Sequence, residues 1–210
     1  MSDSPKRALI VIDVQNEYFD GNLRIEYPPV SDSLANILRA MDAAHAAGIP
    51  VVLLKHLAPE GSPIFARGSH GAELHPQVAQ RPYDLLLEKS KASALSGTGL
   101  GDWLRQRGID TLSIVGYMTH NCDDATARQA AHEGWHVEFL DDASGSLPYA
   151  NSAGNASAEE IHRVFSVVLH SSFATVLSTE RWLAALNAGE APPRDTIYAS
   201  NQRALAARGR

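Results

Sequence analysis

The chain has 210 residues, 44% of them hydrophobic and 20% charged, with a formal net charge of -6. That length suffices to bury a full sheet between helices in one domain, and the acidic balance argues against nucleic acid as a partner. With no apolar run of about 18 residues to cross a bilayer and no signal-peptide core between Met1 and Arg7, a cytoplasmic protein with no membrane partner is expected.

Ala8 to Val14 is a continuous apolar run rich in β-branched residues and containing Asp13, the pattern of a strand buried on both faces of a parallel sheet. Residues 31–47 follow as an amphipathic helix that Ser31 or Ser33 caps and Gly48 stops. Ile49 to His56 reads as the second strand. Residues 57–82, with prolines 59, 63, 76 and 82, read as a long loop of the kind that covers functional sites. Asp84 to Glu88 is a third strand ending at Lys89, Leu100 to Gln106 a helix, Thr111 to Val115 a fourth strand, and Thr119 to Glu133 the helix after it. Trp135 to Leu140 is the fifth strand, Ala158 to Val168 a helix, Phe173 to Leu177 the sixth strand, with a final helix through Leu186. Strands alternating with helices predict an α/β fold: three layers, α/β/α, around a mostly parallel six-stranded sheet. One domain spans 1–210 with its core at 7–186; residues 189–210 leave the pattern, as a frayed end or an arm for another subunit.

In an open parallel sheet ligands bind beyond the carboxyl ends of the strands. Asp13, Lys89 and Cys122 all fall there. Cys122 is the only cysteine, placed between a strand and a helix N-terminus, where backbone N–H groups favour a thiolate. A carboxylate in a dry pocket can take a thiol proton, and an ammonium can support the resulting anion. Singly, a capping Asp, a solvated Lys and a packed Cys are each ordinary; together at one rim they suggest nucleophilic chemistry.

Four segments carry a resemblance: Ala8-Leu-Ile-Val-Ile-Asp-Val-Gln-Asn-Glu-Tyr-Phe19, Gly71-Ala-Glu-Leu-His-Pro76, Lys89-Ser-Lys-Ala-Ser-Ala-Leu-Ser-Gly-Thr98 and Gly116-Tyr-Met-Thr-His-Asn-Cys-Asp-Asp-Ala-Thr-Ala-Arg128. In this order and spacing the sequence resembles the isochorismatase-like cysteine hydrolases, a superfamily that includes nicotinamidases and N-carbamoylsarcosine amidase. The resemblance implies a catalytic triad of Asp13, Lys89 and Cys122, a cis Tyr117–Met118 bond, and an oxyanion hole from the Met118 and Cys122 N–H groups. It further implies a homo-oligomer, dimer or tetramer, acting without a cofactor on a small amide-type molecule.

Departures from the family pattern narrow this. Metal-binding nicotinamidases carry Asp-x-His after strand two, whereas Leu54-Lys-His-Leu-Ala58 has no Asp beside His56. His56, His70 and His75 share that neighbourhood, but scattered loop histidines are usually hydrogen-bonded or solvated, so no metal is expected. Leu95 stands where the family commonly has Phe, so the substrate edge differs; Gln15, Phe19 and Tyr117, with Leu95, are the candidate substrate contacts. Gln15 and Asn16 can equally cap the loop after strand one. Thr119 and His120 are assigned to capping and loop support. Gly97-Thr-Gly-Leu-Gly101 lacks the spacing of a dinucleotide motif. The expected activity is hydrolysis of an amide, ureide or carbamoyl C–N bond through a thioester; the alternatives are isochorismatase-type vinyl-ether cleavage, whose enzymes typically lack the cysteine, and a catalytically silent scaffold.

Overall fold

The computed structural model describes residues 4–209. Six parallel strands form the central sheet: β1 (Arg7–Ile12), β2 (Val51–His56), β3 (Leu85–Lys89), β4 (Thr111–Tyr117), β5 (His136–Gly145) and, after the two strands of a separate hairpin, β8 (Thr175–Leu177). Their order is β3-β2-β1-β4-β5-β8. The chain therefore winds outward one way from β1 and the other way from β4, which opens a crevice between those two strands at their carboxyl ends.

Alternation along β1 assigns the two faces. Leu9 and Val11 pack with Ile37 and Met41 of α1 (Val30–Ala46) and Trp182 of α6 (Thr179–Ala188). Ala8, Ile10 and Ile12 pack on the opposite face with Leu104 of α3 (Leu100–Gln106), Ala127 of α4 (Asp124–His132) and Leu169 of α5 (Ala158–Ser172). All six residues of β1 and all seven of β4 are buried, as a central pair covered on both faces requires. At the amino end of the sheet a buried ion pair ties β1 to β5: Arg7 Nη2 lies 2.8 Å from Glu138 Oε1. Glu138 also accepts from Ser113 of β4 at 2.7 Å and from the Trp182 indole at 3.0 Å. No charge in this group is left without a partner.

Three stretches differ from the sequence expectation. Strand β5 continues to Gly145 and is followed by a hairpin, β6 (Tyr149–Asn151) and β7 (Gly154–Ala156), that forms its own two-stranded sheet. These strands have three residues each, too short for alternation to register. The loop 57–82 contains two short helical turns, a 3-10 turn at His70–Ala72 and α2 (Pro76–Ala79). The segment after Gly189, which leaves the regular pattern in the sequence, is not frayed: Thr175 donates to the Pro192 carbonyl at 3.1 Å, and α7 (Ile197–Ala206), capped by Thr196, packs on α5. None of α7 is buried, so no hydrophobic stripe announced it.

Gly116 brings β4 against β1 just before the functional turn. It has φ +118°, and a Cβ there would lie 2.1 Å from the Ile12 carbonyl oxygen. Gly116→Ala should lower the unfolding free energy by about 3 kcal/mol or more, since neither backbone can yield cheaply. Urea denaturation of the two proteins checks this; a loss within about 1 kcal/mol would show that the strands part readily.

Candidate active site

Each of the first four strands, neighbours in the sheet, delivers one group to the crevice. Asp13 directly follows β1, His56 ends β2, Lys89 ends β3, and Cys122 lies in the turn after β4. His56 and Lys89 are register partners, so the sheet itself sets them side by side. Asp13 has φ 51°, a left-handed conformation that Asp tolerates better than most residues, at a cost of about 1–2 kcal/mol. Its N–H still donates to the Leu54 carbonyl at 3.0 Å, so the sheet holds Asp13 while its backbone turns the chain.

The Lys89 ammonium lies 2.6 Å from Asp13 Oδ2, both side chains having no exposure. It is also 3.3 Å from Cys122 Sγ, 3.2 Å from the Lys91 carbonyl and 3.4 Å from His56 Nδ1. The second carboxylate oxygen, Asp13 Oδ1, is buried with no hydrogen-bond partner among the described residues. Burial works against the Lys89 charge, yet Asp13 and then Cys122 outweigh it and its pKa is raised. The thiol moves the other way from the helix-dipole expectation. Burial, then the Asp13 charge, push Cys122 well above an ordinary thiol, with Lys89 opposing. The thiol therefore keeps its proton at rest, and a base must remove it. Burial and the Lys89 charge lower His56, so its imidazole is neutral at neutral pH.

The turn that presents Cys122 is wider than an α-helical one. Residues Thr119–Asp123 form a single π-type turn that runs into α4 at Asp124, where a regular helix from Thr119 was expected. The Tyr117–Met118 peptide before it is cis. Thr126 fixes the backbone at Cys122: its hydroxyl donates to the Cys122 carbonyl at 2.6 Å and accepts from the Ala94 N–H at 2.9 Å.

The residues expected to contact substrate divide. Leu95 packs in the same apolar cluster as Cys122. Phe19 is half-buried, with its ring 4.3 Å from His75 and 5.9 Å from Tyr117. Gln15 is engaged through its amide, which donates to the His56 and Ala72 carbonyls at 2.9 and 2.7 Å and accepts from the His56 N–H at 2.8 Å. That clamps the end of β2 to the following loop. Tyr117 is fully buried, with its hydroxyl 2.8 Å from Ser33 Oγ of α1. Both side chains are buried and engaged in these hydrogen bonds.

Nor do the three histidines converge. His70 pairs with Asp20, and His75 Nδ1 accepts from the Gln77 N–H. Among the described residues, ligand atoms come together on Asp13, His56 and Cys122, all within 4.8 Å of one another. The Lys89 ammonium already stands at the position a cation would take there.

The sequence missed His56 as a fourth member of the cluster, although its place at the end of the strand beside β1 was a usable signal. It also missed the hairpin's contribution. Tyr149 on β6 holds its hydroxyl 3.0 Å from His120 Nε2, and burial, then the nearness of Cys122, push its phenol up. The hairpin thus touches the turn that carries Cys122, through His120.

Fold and site together define a three-layer α/β/α protein with a buried cysteine set between an acid and an amine, the arrangement of a cysteine hydrolase. An isochorismatase-domain model matches residues 7–181, and the chain belongs to the isochorismatase family. A crystal structure from Burkholderia xenovorans LB400, designated provisionally an isochorismatase, is 63% identical, with a TM-score of 0.97 over 99% of this chain and 100% of that one. The secreted isochorismatase effector Isc1 of Verticillium dahliae is 32% identical over 78% of this chain and 87% of its own length. The ureidoacrylate amidohydrolase RutB of Acinetobacter baylyi is 29% identical over 84% of this chain and 82% of its own.

The buried pair makes a stability prediction. Lys89→Met leaves the Asp13 carboxylate without its counter-charge and should cost about 3–5 kcal/mol, while the double variant D13N/K89M should recover most of that loss. Urea denaturation of the four proteins reads the coupling; strictly additive losses would refute it. Because the Lys89 pKa is raised in the fold, the pair's contribution is fully present below the ordinary lysine value of about 10.4 and is lost as pH climbs through the folded value.

Proposed function

We propose that the protein hydrolyses a C–N bond of a small amide, ureide or carbamoyl compound through a thioester on Cys122. The observation that carries this reading is the pairing of a thiol kept protonated by burial with one unoccupied carboxylate oxygen, Asp13 Oδ1. Lys89 holds the other oxygen, so the carboxylate is aimed.

Asp13 takes the thiol proton as the sulfur attacks the carbonyl carbon, and the Lys89 ammonium 3.3 Å from Sγ stabilises the charge on sulfur. The tetrahedral oxyanion is held by the Met118 and Cys122 N–H groups; such a donor typically contributes about a hundredfold or more in rate. Collapse breaks the C–N bond, and the proton on Asp13 leaves with the amine. Water then attacks the thioester with Asp13 as base, releasing the acid and returning the proton to sulfur. Phe19, Leu95 and the hairpin residue Tyr149 form the substrate edge, while Gln15 and Tyr117 hold the strand ends that carry the chemistry. The amidohydrolase among the relatives supports the C–N class.

The test is a panel of amides, ureides and carbamoyl compounds, with isochorismate as a separate arm, read by amine or ammonia release and by intact mass for the acyl-enzyme. Turnover of a C–N substrate is expected, abolished together with the adduct in Cys122→Ala. Asp13→Asn should lower kcat by about 100- to 10,000-fold. Near-normal turnover in Cys122→Ala, or cleavage of isochorismate alone, would overturn the proposal.

A further inference from the structure

A buried polar chain runs behind the nucleophile turn, and none of the steps above uses it. Ser144 of β5 donates its hydroxyl proton to Asp123 Oδ2 at 2.6 Å. Its oxygen also lies 2.7 Å from Thr119 Oγ1, which in turn lies 2.9 Å from Nδ1 of His162 on α5. Ser144 thereby bridges both ends of the turn that presents Cys122. Asp123, Ser144 and Thr119 have no exposed surface, whereas His162 has 7%. The other Asp123 oxygen, Oδ1, has no hydrogen-bond partner among the described residues.

Each hydroxyl carries one proton, so the links run in one direction at a time. With Asp123 ionised, Ser144 donates to it, Thr119 donates to Ser144, and His162 donates from Nδ1 to Thr119. With Asp123 protonated every link reverses, and His162 accepts at Nδ1 with its own proton on Nε2.

We propose that this chain is a proton path, through which Asp123 exchanges its proton with solvent by way of Ser144, Thr119 and His162, and that the charge so placed beside Cys122 tunes the thiol. On release, the Asp123 proton passes to Ser144 as the Ser144 proton passes to Thr119 and the Thr119 proton to His162 Nδ1. His162 then loses its Nε2 proton to water. One proton has left, one negative charge remains on Asp123, and His162 ends neutral in its other tautomer. Burial, then the neighbouring His120, lower His162 to about 4, so the imidazolium is only a transient carrier.

Every group facing Asp123 bears on where it titrates. Burial pushes it up to about 7, opposed by the Ser144 hydrogen bond, raised by Asp13, lowered by Lys89 and raised by Asp124. The phenols of Tyr18 and Tyr117 also face it.

Two measurements test the path without any substrate, so they can fail while the thioester reading stands, although the path's purpose rests on Cys122 being the nucleophile. In 15N NMR, the His162 side chain should switch from the Nε2–H to the Nδ1–H tautomer as pH rises through neutrality. Asp123→Asn should fix it in one form. Because Cys122 is the only cysteine, iodoacetamide labelling read by intact mass reports it alone. Between about pH 5 and pH 9 the wild-type rate should carry a step near neutrality beside the thiol's own ionisation. D123N should lose that step, and Ser144→Ala, which removes a bond that lowers Asp123, should move it upward by about one pH unit. Thermal melts establish that both variants are folded. A His162 tautomer constant across this range, or a step unmoved in folded S144A, overturns the proposal.

Discussion

The Lys89 ammonium has three protons and four acceptors within reach: Asp13 Oδ2, the Lys91 carbonyl, the Cys122 sulfur and His56 Nδ1. How that shortage is shared governs the site. The carboxylate takes the shortest contact, so the sulfur receives at most a long and weak share, which fits a thiol that stays protonated. A developing charge on sulfur would redraw the division in its favour. The ammonium is thus held by one partner and available to another, with burial strengthening both interactions because little water screens them.

The rest of the fold serves that arrangement. Four neighbouring strands each end at one of the groups, and parallel pairing fixes the relative height of the ends. Gly116 lets β4 close on β1, and Gln15 ties the end of β2 to the loop that follows. At the far end of the sheet, Arg7 and Glu138 link strands on either side of β4, so the central strands are fixed at both ends.

The strands of the main sheet were legible because their apolar runs are long and bounded by glycine, proline or charged residues, and the place of Asp13, Lys89 and Cys122 at strand ends followed from them. Other features lacked a local signal. Gln15 and Tyr117 stand in the chain beside Asp13 and the cysteine turn, but the direction of each side chain depends on partners far off in sequence, the Ala72 carbonyl and Ser33. The thiol's proton affinity depends in the same way on distant parts of the chain. A helix N-terminus is visible in sequence, whereas the depth of burial that outweighs it belongs to the tertiary structure. Asp123, beside the cysteine, reads in sequence as an ordinary residue at a helix start; only the fold sets Ser144 against it.

The hairpin β6–β7 has no strand pairing with the main sheet, yet its Tyr149 reaches His120 in the turn that carries Cys122. Asp13, His56 and Lys89, by contrast, are fixed by the same hydrogen bonds that hold the sheet together, and substituting them risks the fold. The hairpin bears no such load. Insertions, deletions and exchanges there leave the sheet ladder untouched, so descendants of this chain can explore new substrates by altering a surface appendage while the inherited chemistry stays in place.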